Sequence, residues 1–191
     1  MSGAVSVLAH VDGAHLHVAS TGDCNAVLGT ITDTGQWVTK KLTTEHNADN
    51  INEINRIYNE HPIIERDSII KAERLLGQLA PLRAFGDYRY KWTRELLEKL
   101  AVPHYGEHSI PPNYYTPPYL TAKPDITHHI LTPKDRFLIL GSDGLWDLMS
   151  PNQVVKLIGE HMYGKAFLQP LKLPKEDVTL GAINKMLAHR K

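Results

Sequence analysis

Phe137-Leu138-Ile139-Leu140-Gly141-Ser142-Asp143-Gly144-Leu145-Trp146-Asp147 is the stretch on which the fold of this chain turns. Four consecutive apolar residues closed by a glycine are too short for a core helix and read as a buried strand. Asp143 follows at once, beside Gly144, where a rigid strand end can aim a carboxylate into a pocket. A charge buried there needs a partner, because an unpaired one costs several kcal/mol. The spacing leaves three partners open: a divalent cation, a buried arginine, or the backbone of a turn.

Outward from this stretch the pattern stays sharp. Residues 126–131 read as a strand, and Thr132-Pro133-Lys134-Asp135 as the turn that leads back. On the other side Ser150 stands as N-cap, Pro151 at the first helical position and Gln153 three residues from the cap. This predicts a helix with Val154, Val155, Ile158 and Met162 on its buried stripe. Residues 180–189 show a weaker amphipathic helix.

The N-terminal third alternates with period two. Val5, Val7, Ala9 and Val11 share one face, Leu16 and Val18 another, and Asp12-Gly13 between them predicts a type I′ hairpin. Strands over 24–30 and 37–42 complete an antiparallel meander. The period then changes. Ile51, Ile54, Ile57 and Tyr58 fall at helical spacing, with Asn50 and Glu53 forming a capping-box pattern and His61-Pro62 ending the helix. A short helix is expected over 91–100. Residues 103–124, rich in proline and tyrosine, form a long structured loop, whose tyrosines pack onto the domain or meet a partner.

Lysine plus arginine balances aspartate plus glutamate at 21 each over 191 residues. Nothing in that balance draws nucleic acid or an anionic membrane. No apolar run approaches the ~18 residues of a membrane span. Cys24 is the single cysteine, so no internal disulfide forms, which fits a reducing compartment. The 11 histidines do not make a zinc pattern; His128 and His129, adjacent on a strand, face opposite sides. Asp23, in Thr21-Gly22-Asp23, and Asp87, closing Arg83-Ala84-Phe85-Gly86-Asp87, repeat the Gly-adjacent aspartate of Asp143. Oxygen donors of this kind suit Mg²⁺ or Mn²⁺.

In order along the chain, the Gly22-Asp23 corner, Arg83 to Asp87, and Phe137 to Asp147 resemble three motifs of the metal-dependent PPM-type (type 2C) serine/threonine protein phosphatases. Leu42-Thr43-Thr44-Glu45-His46, followed by Glu53 and Arg56-Ile57, resembles a fourth. Within that family the chain is most similar to the pyruvate dehydrogenase phosphatase subgroup. That likeness is carried by His10-Val11-Asp12-Gly13, Leu16-His17-Val18-Ala19, Lys91-Trp92 and the run Pro111-Pro112-Asn113-Tyr114-Tyr115-Thr116-Pro117-Pro118-Tyr119-Leu120-Thr121-Ala122.

The resemblance implies an α+β fold, a central antiparallel β-sandwich flanked by helices in αββα layers. It implies two Mg²⁺ or Mn²⁺ ions, with a third more weakly held. Asp143 matches a ligand of the metal pair, and Asp23 a ligand of the third ion, with Asp147 near it. Arg83, Asp87 and Gly144 match structural support of the site. The implied activity is hydrolysis of phosphoserine by a metal-activated water, on the phosphorylated pyruvate dehydrogenase complex in the mitochondrial matrix, with a regulatory subunit as a further partner.

The family's N-terminal acidic cluster, phosphate-gripping arginine, Asp-Gly-His-Gly-Gly run and final Asp-Asn motif have no match here, and Asn25 stands where arginine is common. Residues 2–163 are therefore expected to be a partial phosphatase domain, lacking its N-terminal part and final strand, and 164–191 a truncated subgroup-specific tail. Little activity is expected of the chain alone. The alternative is a catalytically inactive, phosphatase-like binding module.

Overall fold

The computed structural model describes residues 2–164, and the amphipathic helix expected over 180–189 lies outside the described residues. In chain order the strands are β1 (Gly3–Ala4), β2 (Ser6–Asp12), β3 (His15–Thr21), β4 (Asn25–Ile31), β5 (Trp37–Lys41), β6 (Ile70–Lys71), β7 (Arg74–Leu75), β8 (Phe85–Gly86), β9 (Asp125–Ile130) and β10 (Asp135–Gly141). The helices are α1 (Ile51–Glu60), α2 (Arg66–Ile69), α3 (Arg94–Leu100), α4 (Val102–Tyr105), α5 (Asp143–Trp146) and α6 (Pro151–Gly164).

Two antiparallel sheets of three strands carry the domain, ordered β2-β3-β9 and β10-β4-β5. Their inner faces meet through Leu16 and Val18 of β3 and Ala26 and Leu28 of β4, which form one core with Leu42. Burying each large aliphatic side chain there contributes about 1.5–3 kcal/mol. Helix α6 covers the outer face of the second sheet. Gly159 lets it approach closely, since a Cβ there would meet the Trp37 indole at 2.2 Å. Val154 and Val155 are buried as the helical stripe requires. The mixture of helix and antiparallel sheet matches the α+β expectation.

A second core joins α1 to the proline-tyrosine loop through Ile57, Leu82, Leu97, Tyr114 and Tyr119. Tyr114 donates to the Trp92 carbonyl at 2.6 Å. Tyr119 donates to Glu65 and accepts the N–H groups of Tyr115 and Thr116 at 3.0 and 2.9 Å. Burial pushes both phenols upward from their ordinary pKa. The loop is thus packed onto the domain by two tyrosines, while Tyr115 remains 67% exposed.

Several local expectations change. The hairpin pairs Asp12 with His15, so its loop is Gly13-Ala14, one residue later than the sequence suggested. Gly13 alone has positive φ, +56°, which fits a type II′ turn rather than I′. The helix expected over 91–100 begins at Arg94, capped by the Thr93 side chain. Asn50 caps α1 by accepting from the Asn52 N–H, but Glu53 turns inward to Arg83 instead of closing a capping box. At α6 the box does close: Ser150 N–H donates to Gln153 Oε1 at 2.9 Å, and Gln153 N–H to Ser150 Oγ at 3.3 Å. Finally, the apolar run 137–140 is a strand but not a buried one. β10 lies at the edge of its sheet, and Leu140 is 43% exposed.

Candidate metal centre

β10 pairs antiparallel with β4, and the last pair in register is Gly141 with Asn25. Two residues beyond that pair, after β10 and before β4, stand Asp143 and Asp23. Antiparallel pairing therefore delivers both carboxylates to the same end of the same sheet. Each is fixed by glycine chemistry. Gly22 has φ +99°, and a Cβ there would strike the Val5 side chain at 2.1 Å, so the corner before Asp23 admits only glycine. Gly141 lets α5 fold back, and the Trp146 indole N–H donates to its carbonyl at 2.8 Å. Asp143 opens α5 and accepts the Gly144 N–H at 2.7 Å.

A cleft of about 320 Å³ opens on these corners. Asp23, Glu45, Asp49, Glu73, Asp143 and Asp147 line it with six carboxylates against one cation, Arg74. Glu73 and Arg74 come from the small β6–β7 hairpin, so one wall is hairpin and the other is sheet end. Burial, the largest cause, holds the Asp23 carboxyl above its ordinary pKa, with Asp143, Glu45 and Asp147 adding repulsion against a lowering backbone hydrogen bond. Such a cleft attracts cations.

The donor set is all oxygen, which suits Mg²⁺ or Mn²⁺. It is also partial: among the described residues no three acidic, histidine or cysteine side chains stand close enough to hold an ion by themselves. The residues present fit a hard divalent cation in chemistry.

The other candidates lie elsewhere. Arg83 is buried and donates to Glu53, to Asp125 at 2.8 Å and to the Lys123 carbonyl at 3.0 Å. Burial would lower its pKa, but Glu53 and Asp125 outweigh that and raise it. Asp87 does not join the cleft. It sits at φ +45° with its carboxylate against Gly3, and its N–H donates to the Ser2 carbonyl at 3.0 Å, so it seats the N-terminal strand. Gly144 contributes its N–H to Asp143; a Cβ there would meet nothing nearer than Ser142 Oγ at 3.9 Å.

Two participants escaped the sequence reading as site residues. Glu45 lines the cleft, and the fully buried Asn25 holds it by donating to its carboxylate while accepting from Thr43 Oγ1 at 3.2 Å. An asparagine in place of a long cation at position 25 thus has a local role. The Thr-Glu-His spacing was visible, but its partner across 20 residues was not.

The protein phosphatase 2C family model matches residues 1–179. The chain belongs to the protein phosphatase 2C family. Across 100% of this phosphatase 2C chain it is 45% identical to "[Pyruvate dehydrogenase [acetyl-transferring]]-phosphatase 1, mitochondrial" of Bos taurus. It is equally 45% identical to the corresponding phosphatase 2 of Homo sapiens over 196 residues. The chain spans 37% of the length of either relative. Among solved structures, serine-threonine phosphatase 2C from Toxoplasma gondii aligns with TM-score 0.53 at 24% identity, covering 84% of this chain and 48% of that one. This last likeness bears on the fold, and agrees with the sandwich described above.

Proposed function

We propose that this chain is part of a metal-dependent protein serine/threonine phosphatase. The observation that carries the reading is the β10–β4 register, which brings Asp143 and Asp23 to one acidic cleft. Asp143, Asp23 and Asp147 would hold Mg²⁺ or Mn²⁺, two ions in the intact domain and a weaker third. When bound, the cations supply an activated water and counter-charge for the phosphoryl group. The chain's own part is to hold those carboxylates at the sheet end, while Arg83 is engaged inward by Glu53 and Asp125.

The substrate we infer is phosphoserine on the pyruvate dehydrogenase complex, in the mitochondrial matrix, with a regulatory subunit as second partner. The relatives named above support this, because the match covers the whole chain, including the proline-tyrosine loop. Residues 2–163 form the phosphatase part in this reading and 164–191 a subgroup-specific tail. Among the described residues no helix is long and apolar enough to cross a membrane.

The partial donor set favours a second reading, a phosphatase-like module that binds the complex without turnover. Phosphate release from phosphorylated pyruvate dehydrogenase complex, measured with Mn²⁺ and with EDTA, separates the two. Slow Mn²⁺-dependent release, abolished by Asp143→Asn, supports the enzyme. Co-sedimentation with the complex and no release supports the module. Release indifferent to EDTA contradicts metal-dependent hydrolysis.

A further inference from the structure

His46 is completely buried, with 0% of its surface exposed. Its Nδ1 lies 3.1 Å from the Gly22 backbone nitrogen, and its Nε2 3.0 Å from Asp125 Oδ2. These contacts choose the tautomer. A proton on Nδ1 would face the Gly22 N–H donor to donor and leave the Nε2 lone pair against the Asp125 carboxylate. So Nδ1 accepts from Gly22, and Nε2–H donates to Asp125. Nδ1 also lies 3.1 Å from the Gly22 carbonyl, which is already occupied by the His46 backbone N–H at 2.9 Å.

Both polar groups of Gly22 are thus held by one residue, and Gly22 directly precedes Asp23. Behind His46 the anchoring continues inward. Asp125 Oδ1 takes Arg83 at 2.8 Å, and Arg83 Nε donates to Glu53 at 2.9 Å. Glu53 also takes Arg56 Nε at 3.1 Å, which ties the chain of contacts to the first turns of α1. Burial would raise the Glu53 and Asp125 carboxyls, but their bonding partners outweigh it and hold both below the ordinary carboxylate value.

We propose that His46 is a positioning residue for Asp23. It transmits the placement of the Glu53–Arg83–Asp125 ion network to the Gly22 backbone, and so fixes where the Asp23 carboxylate meets a cation. The proposal rests on the reading of Asp23 as a metal-holding residue. Groups that orient a ligand without touching the metal typically change its affinity by about 10–100-fold when removed.

The two bonds of His46 can be separated. His46→Asn places an amide oxygen near Nδ1, keeping the Gly22 bond and losing Asp125. His46→Gln places an amide nitrogen near Nε2, keeping Asp125 and losing Gly22. Tb³⁺, an oxygen-seeking cation, is titrated into the chain and followed by emission sensitised by Trp146, which lines the cleft. Melting temperature without metal is read in parallel.

His46→Gln is expected to weaken Tb³⁺ binding about 10-fold or more and His46→Asn, which keeps the Gly22 bond, about threefold, with melting lowered in both. Equal losses in the two variants, or unchanged affinity in both while Asp23→Asn weakens binding, overturn the positioning role. Unchanged affinity in Asp23→Asn overturns the reading of the cleft, and the positioning role with it. Should the buried variants not fold, Asp125→Ala, at a position 56% exposed, cuts the same contact from outside. Weaker Tb³⁺ binding there with the fold intact supports the proposal, and unchanged binding overturns it.

Discussion

The Asp23 corner and the Asp143 turn end neighbouring strands of one sheet and present the same carboxylate to one cleft, yet they are secured differently. Asp23 is half-buried. It stands behind a glycine with no room for a Cβ and a buried histidine backed by an ion network. Asp143 is exposed, bonded to the N–H of its own neighbour, and braced by one indole hydrogen bond across α5. The first corner is anchored by contacts far apart in sequence, the second by contacts within six residues. This difference predicts where substitutions act on stability and where on the cation alone.

The largest effect is expected at the buried anchor. Arg83→Met leaves the buried Glu53 with Arg56 alone and is expected to cost about 3 kcal/mol in urea unfolding, whereas exposed Asp143→Asn stays within about 0.5 kcal/mol. A comparable loss at both positions would erase the distinction. The anchor also carries a pH signature. Folding lowers the Glu53 pKa below its ordinary carboxylate value, because Arg83 and Arg56 outweigh burial, so its stabilisation is fully present above that ordinary value and is lost as pH falls through the folded value. Melting temperature should therefore drop on the acid side, with a shallower slope in Glu53→Gln. An equal slope in that variant would place the acid sensitivity elsewhere.

Smaller effects sharpen the second corner. Trp146→Phe removes the bond to Gly141 and is expected to cost about 0.5–1.5 kcal/mol by denaturant midpoint. Ser150→Ala opens the capping box of α6, beyond the site, at about 1 kcal/mol, with cleft binding unchanged.

What the sequence made legible follows the same division. The cap of α6 was readable because Ser150 and Gln153 complete it within one turn. The hairpin was readable apart from a one-residue shift of its loop. At α1 the identical signal misled: Glu53 had the spacing of a capping box, but Arg83, 30 residues away, offered a stronger bond. The run 137–140 announced a strand without saying that it would lie at a sheet edge, because burial depends on which strands flank it. Asp23 and Asp143 were each legible as Gly-adjacent aspartates. Their meeting depends on pairing between strands more than 100 residues apart, and Asp87, with the same local pattern, was sent to the N-terminal strand instead. Glu45, His46 and Asp125 became site residues only through such long-range contacts.

The most direct test is a double-mutant cycle on the two corners. Mn²⁺-competed Tb³⁺ binding is measured for the chain, for Asp23→Asn, for Asp143→Asn and for the double variant. If both carboxylates serve one cation cluster, each single change weakens binding and the double change costs clearly less than their sum. Additive losses, or binding indifferent to either substitution, would contradict a shared metal centre at the end of the β10–β4 pair.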